Sequence, residues 1–266
     1  MKALSRVYMW VVFALLYAPI LVLVVFSFND GGSLAAYTGV SFRWYGELFR
    51  DSVALQSLKN SLFLAIASSL LATVIGTFAS LGLDRMRNRY LKGVISSVTN
   101  IPMMNPDIVT GVSMMLLFVA FAGVLGLSDV LGRWTMLIAH TTFSLPYVIL
   151  SILPRFRQFD KSLREAALDL GCNNFQAFFK VVLPNISSGI FTGLIMAFTL
   201  SLDDFVISYF TCGHYQTLPI VIYNMTKKTV TPDVYALSTF IFISIFVLLI
   251  LYNTVQSSGE RRRAKR

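Results

Sequence analysis

The segment Thr199-Leu200-Ser201-Leu202-Asp203-Asp204-Phe205-Val206-Ile207 sets two adjacent carboxylates between apolar residues. Such a pair suits the capture of a cation, because neighbouring like charges repel until a positive group neutralises them. Phe205 and Tyr209 lie close by, and aromatic faces attract cations held within about 6 Å. Successive helix residues point about 100° apart, so the two acids need not face the same space. Two readings are open. Either Asp203, with Asp204 second, binds a cationic substrate, or one acid caps a broken helix or pairs with an Arg or Lys of another chain. A further acid stands in Asn105-Pro106-Asp107-Ile108-Val109, which reads as an irregular helix start. Asp107 either caps that start or contacts the same substrate. His140, beside Thr141 and Thr142, reads as a group for interhelical hydrogen bonding.

These side chains must be placed by the elements around them. Of the 266 residues, 56% are hydrophobic and 13% charged, whereas a soluble domain carries about 25% charged residues. The apolar residues form long runs without the alternation of a membrane barrel. About 20 of them in a helix cross a bilayer core, and a helix satisfies its own backbone there. The chain is therefore expected to be an all-α polytopic membrane protein. A single transmembrane domain over 1–266 would have six spans at about 8–28, 60–83, 98–122, 134–153, 186–210 and 234–255. The first run is too long for the core of a signal peptide and no Ala-x-Ala site follows, so it reads as a retained helix.

Six crossings with both termini cytoplasmic put sixteen of the 22 Lys and Arg on inner segments and six outside. That asymmetry is the positive-inside rule, and it accounts for the net charge of +9 without nucleic acid. On this topology Cys172 is inside and Cys212 outside, so they cannot pair, and His140 and His214 are too far apart in sequence to suggest a metal cluster. The outer loop 29–59 carries Phe42, Trp44 and Tyr45 and is expected to hold a short helix at the membrane interface.

The inner loop 154–184 is patterned as two short helices. Ser162 and Glu165 fit a capping box. Leu163, Ala166, Ala167 and Leu170 make an apolar stripe, and Gly171 stands where a helix end wants a left-handed residue. Asn173 or Asn174 can cap a second helix with Phe175, Phe178, Phe179 and Val182 on its apolar face. By spacing alone the element either packs under the bundle or docks another surface, and the small Ala166 and Ala167 favour close approach.

Glu165-Ala166-Ala167-x3-Gly171-x9-Val181-x-Leu183-Pro184 resembles the EAA signature of ABC-importer permeases, with Val181 where Ile is usual. The resemblance implies a type I ABC importer fold in which this loop is a coupling helix seated on an ATPase. The chain has no Gly-x4-Gly-Lys-Ser/Thr phosphate loop. ATP and magnesium would therefore belong to that partner, and the chain itself would be non-catalytic with no cofactor. The segments around Asn105–Val109 and 198–204, with Leu218-Pro219 and Thr231-Pro232-Asp233, resemble spermidine/putrescine importer permeases of the PotC type over essentially the whole chain, with Asn105 where Ser is usual. This implies a bacterial inner-membrane heterodimer with a second permease, an ATPase dimer, an external polyamine-binding protein, and a linear polycation as substrate. Another ABC-imported solute, such as an iron complex, amino acid or sugar, is the alternative. An ion-coupled secondary transporter using the two acids is a third.

Overall fold

The computed structural model describes residues 2–31, 37–228, 234–243, 246–247 and 250. The described residues form helices, with one isolated antiparallel bridge between Asn29 and Val40. The helices are α1 Lys2–Phe26, α2 Arg43–Leu48, α3 Ser52–Arg85, α4 Arg89–Met104, α5 Asp107–Leu125 and α6 Arg133–Gln158. They continue with α7 Lys161–Asp169, α8 Asn174–Ala177, α9 Leu183–Asp203, α10 Val206–Thr211 and α11 Leu218–Lys228. A further apolar helix, α12, covers Val234–Ile243. Five described stretches are long and apolar enough to cross a membrane: Ser5–Phe26, Ser52–Arg85, Asp107–Leu125, Arg133–Gln158 and Asn174–Asp203. The expected sixth span is described mainly through α12; most of its remainder and Thr231-Pro232-Asp233 lie outside the described residues.

The chain divides into two units, Met1–Gln56 with Val221–Arg266, and Ser57–Ile220. In the first, the loop after α1 is tied down by polar contacts. Asn29 Oδ1 accepts from the Thr38 amide at 2.9 Å and from its hydroxyl at 3.2 Å. The Trp44 indole donates to the Asn29 carbonyl at 2.8 Å. Tyr45 bonds Ser27 at 2.8 Å and packs on Phe28. The short helix expected in this loop is α2, and its aromatics face back onto the end of α1.

The second unit is organised around α6, which buries Met136, Ala139, His140, Phe143, Val148, Ile152 and Phe156. Val148, Ile152 and Phe156 join Ala72 of α3 and Phe178, Val182, Ile186 and Ala197 of the 178–203 segment in one apolar cluster. Small residues let α6 and α9 approach closely, as between membrane helices generally. A Cβ on Gly189 would stand 2.6 Å from Arg155 Cγ and 2.9 Å from the Ser151 carbonyl, and one on Gly193 would stand 3.3 Å from Val148 Cγ1. The apolar faces of α5 are mostly exposed, including Leu116, Leu117, Phe121 and Val124.

Two of the expected spans are interrupted. The stretch expected as one helix from 98 to 122 is two, because Asn105 sits before Pro106 in an extended conformation (φ −80°, ψ 142°). A proline ring crowds the preceding residue out of the helical region, so α4 ends there and α5 restarts at Asp107. The stretch expected as 186–210 likewise ends at Asp203 and restarts at Val206.

Gly189→Val should wedge α6 from α9 and cost about 1–3 kcal/mol, the usual penalty of overpacking. A thermal unfolding scan of the detergent-solubilised protein is expected to show a lowered midpoint, with Gly189→Ala less affected than Gly189→Val.

Candidate functional site

The second interruption creates the site. Asp204 leaves the helix with ψ 119°, and the amides at the start of α10 need acceptors. Its own carboxylate supplies them. Oδ2 accepts from the Ser208 amide at 2.8 Å and Oδ1 from the Ile207 amide at 3.3 Å. Asp204 is therefore the acid that caps a broken helix, one of the two readings open from sequence. Its side chain is 6% exposed and Oδ2 lies 3.5 Å from His140 Nε2.

Asp203, one residue earlier on the last turn of α9, is exposed. It opens onto a cavity of about 280 Å³ lined by Asp107, Phe143, Thr199, Leu200, Asp203, Asp204, Phe205 and Val206. Thr199 and Asp203 are four apart and so share a helix face. Asp107 is the first residue of α5, where the helix dipole favours a negative charge. The cap position itself is occupied by Pro106, which has no side-chain acceptor. Close approach of α5 to α10 depends on Gly111, where a Cβ would lie 2.9 Å from the Phe210 ring and 3.4 Å from Ile207 Cα.

Four of the five residues named from sequence as substrate contacts, Asp107, Asp203, Asp204 and Phe205, thus share one cavity. Tyr209 is not on its wall; its ring packs on Phe205 with centroids 5.4 Å apart. Phe143, Thr199, Leu200 and Val206 were not singled out from sequence. The i, i+4 relation of Thr199 to Asp203 was the available signal for one of them. His140 makes the interhelical hydrogen bonds expected of it, to Ser201 and Ser208.

The 154–184 segment has the helix–Gly–helix form. The cap of α7 is Asp160, not Ser162: its carboxylate accepts from the Ser162 amide at 2.9 Å. That bond, with one from the Ser162 side chain, holds the Asp160 carboxyl below its usual range. Ser162 and Glu165 therefore form no capping box, because the helix already starts at Lys161. At the other end Gly171 has φ +88°. Its amide bonds Leu168 O at 2.9 Å and the Cys172 amide bonds Ala167 O at 3.0 Å, the paired bonds of a Schellman turn. Asn173 caps α8 in a reciprocal box with Gln176, and Arg164 Nη2 ties the two helices by donating to Asn174 Oδ1 at 2.6 Å.

The apolar stripe of α7 is split. Ala167 is buried, whereas Leu163 (47% exposed) and Leu170 (87%) face outward with Phe175 (70%). Glu165, Ala166, Gly171 and Pro184 are exposed and Leu183 is half-buried.

Residues 72–265 match the family described as binding-protein-dependent transport system inner membrane component. The chain belongs to that family. This permease is 38% identical over 255 residues to the putrescine transport system permease protein PotI of Escherichia coli (strain K12), covering 95% of this chain and 90% of that protein. It is 39% identical over 249 residues to the spermidine/putrescine transport system permease protein PotC of Haemophilus influenzae, covering 93% and 94%. Its fold is that of a bacterial ABC transporter involved in the import of the acidic polysaccharide alginate, with TM-score 0.72, 17% identity, and 96% and 95% of the two chains covered. It also resembles the inward-facing MetNI methionine ABC transporter, with TM-score 0.60, 18% identity, and 82% and 97% covered.

Asp204→Ala should remove the acceptors for two amides and cost about 0.5–2 kcal/mol, the range for a lost cap. Hydrogen exchange is expected to speed up at Ile207 and Ser208 in Asp204→Ala and to stay near wild type in Asp203→Ala.

Proposed function

We propose that this permease is the membrane subunit of an ATP-driven importer of linear polyamines, putrescine and spermidine. Asp203 and Asp107 supply the carboxylates that meet the substrate ammonium groups, Phe205 adds an aromatic face, and Asp204 contributes mainly by shaping the wall. The observation that carries the reading is the cavity at the α9–α10 break. It joins carboxylates from two separate elements on a wall otherwise made of Thr199 and the apolar Phe143, Leu200, Phe205 and Val206, and relatives alike over nine-tenths of the chain are named for putrescine and spermidine transport. A polyamine carries a positive charge at each end of an apolar stem, which suits acids set in apolar walls. A carboxylate in lipid costs several kcal/mol, so an exposed one inside a membrane bundle is best accounted for by a cationic ligand or an aqueous path.

Both termini lie in the cytoplasm in this reading, which places α7, Gly171 and α8 on the side of ATP. An ATPase dimer docks there, with the outward Leu163, Leu170 and Phe175 forming the apolar part of the contact and Glu165, Ala166 and Ala167 beside it. Leu183 and Pro184 link that element to α9, so closure of the ATPases moves the helix that bears Asp203. A second permease completes the conduit and an external binding protein delivers the substrate. ATP and magnesium are bound by the ATPases, and this chain catalyses no chemical step.

Asp203→Asn, in a strain or proteoliposome with no other polyamine uptake, is expected to raise the KM for putrescine about thirtyfold or more, since removing one member of a charge pair that the bound substrate desolvates costs about 2–5 kcal/mol. Co-purification of the ATPase should persist. An unchanged KM would remove Asp203 from the site. Glu165→Lys should instead lower polyamine-stimulated ATP hydrolysis or release the ATPase on purification, and wild-type coupling in that variant would count against the docking assignment.

A further inference from the structure

His140 lies between the two helices that the break separates. Its side chain is 1% exposed and is not on the cavity wall. Nδ1 stands 2.8 Å from Ser201 Oγ on α9, and Nε2 stands 3.0 Å from Ser208 Oγ on α10. Ser201 is two residues before Asp203 and Ser208 four after Asp204, so one ring holds both sides of the interruption. Ser201 is also held from a third helix, because Ser68 Oγ on α3 donates to it at 2.9 Å. All three serines are buried.

One order of donors and acceptors satisfies the whole row, with the Ser68 proton on its shorter contact, 2.9 Å to Ser201 against 3.4 Å to the Ala65 carbonyl. Ser201 accepts from Ser68 and so has its own proton to give to His140 Nδ1. A neutral imidazole has one acceptor and one donor nitrogen. With Nδ1 accepting, the proton sits on Nε2, facing the Ser208 hydroxyl and, at 3.5 Å, the Asp204 carboxylate. The row Ser68, Ser201, His140, Ser208 and Asp204 thus runs from hydroxyl donor to carboxylate acceptor through four helices. Only Asp204 and Phe205 separate α9 from α10, so whatever holds those helices at the break also sets where Asp203, on the last turn of α9, points.

We propose that His140 is a positioning residue for substrate recognition: by bridging Ser201 and Ser208 it locks the break in one geometry, which keeps Asp203 on the cavity and Asp204 in the wall. The inference rests on the reading of Asp203 as a substrate carboxylate. His140 touches no substrate and acts through the two acids.

The test is a double-mutant cycle on putrescine uptake by the assembled importer, normalised to co-purified ATPase. His140→Ala is expected to raise KM about tenfold while Vmax changes about twofold or less, the split that marks lost substrate binding with the later steps intact. His140→Ala combined with Asp203→Asn should be no worse than Asp203→Asn alone, since coupled residues are not additive. Ser208→Ala, which removes one leg of the bridge and leaves the ring, should show the same non-additivity with a smaller effect. It carries the cycle should His140→Ala fail to assemble. Additive losses, or a wild-type KM in assembled His140→Ala or Ser208→Ala, would overturn the positioning role. A wild-type KM in Asp203→Asn is a separate result: it removes the substrate site itself, and this inference with it.

Discussion

In hydrocarbon there is no water to take up a bare amide, and each unsatisfied backbone group costs several kcal/mol. A helix that stops within a span must therefore find new partners for the groups it frees. At the α9–α10 break the Asp204 carboxylate receives two of the freed amides, which makes the interruption tolerable. Much else follows from it. The turn leaves Asp203 on the exposed end of α9. It lets Gly111 of α5 come up against Ile207 and Phe210, which brings Asp107 to the same cavity.

The second organising element is α6. One side of it fills the apolar cluster through Val148, Ile152 and Phe156, where the backbone of α9 approaches closely at Gly189 and Gly193. One to two turns toward its N-terminal end, the same helix presents Phe143 to the cavity and His140 to the break. Core and site are therefore parts of a single packing surface. The lower stretch of α9, from Leu183, is continuous with the 161–182 element through a π turn at Phe178–Val182. From Asn174 to Asp203 the chain is thus one helical stretch of 30 residues.

Much of the fold was legible because the information is local. Long apolar runs identify membrane helices by length alone. Gly171 and Asn173 mark a helix end and a helix start by chemistry that needs only their neighbours, and both positions have the expected roles. Pro106 signalled an interruption through the clash it imposes on Asn105, although the resulting division into α4 and α5 was not drawn. At α7, Asp160 and Ser162 are both good caps. The earlier one prevails, because a carboxylate accepts more strongly than a hydroxyl and two more residues then join the helix. The break at Asp204 was far less legible. Asp-Asp-Phe-Val contains neither Pro nor Gly, and what stabilises the interruption includes His140, sixty-four positions away. Spacing offered both the cap and the ligand as roles for the two acids, and the structure gives the cap to Asp204 and leaves Asp203 exposed on the cavity wall, a difference between neighbours that spacing could not supply.

The π turn between α8 and α9 carries a consequence for what changes in chain length the protein can accept. A π turn accommodates one residue more than an α turn does. A deletion within Phe178–Val182 would let the segment relax into ordinary α-helix without breaking it, so the lesion would be nearly silent locally. Because the residue removed is the extra one, the helix downstream to Asp203 would keep its facing, whereas a one-residue deletion in the regular turns between Leu183 and Gly189 would rotate everything beyond it by about 100° about the axis of α9. After that second deletion Gly189 and Gly193 would leave Ser151 and Val148, Ser201 would leave His140, and Thr199 and Asp203 would turn off the cavity together. Point substitutions at these positions are separate events, but a one-residue slip between Leu183 and Gly189 would remove packing, bridge and cavity face at once, and one within the π turn would spare all three.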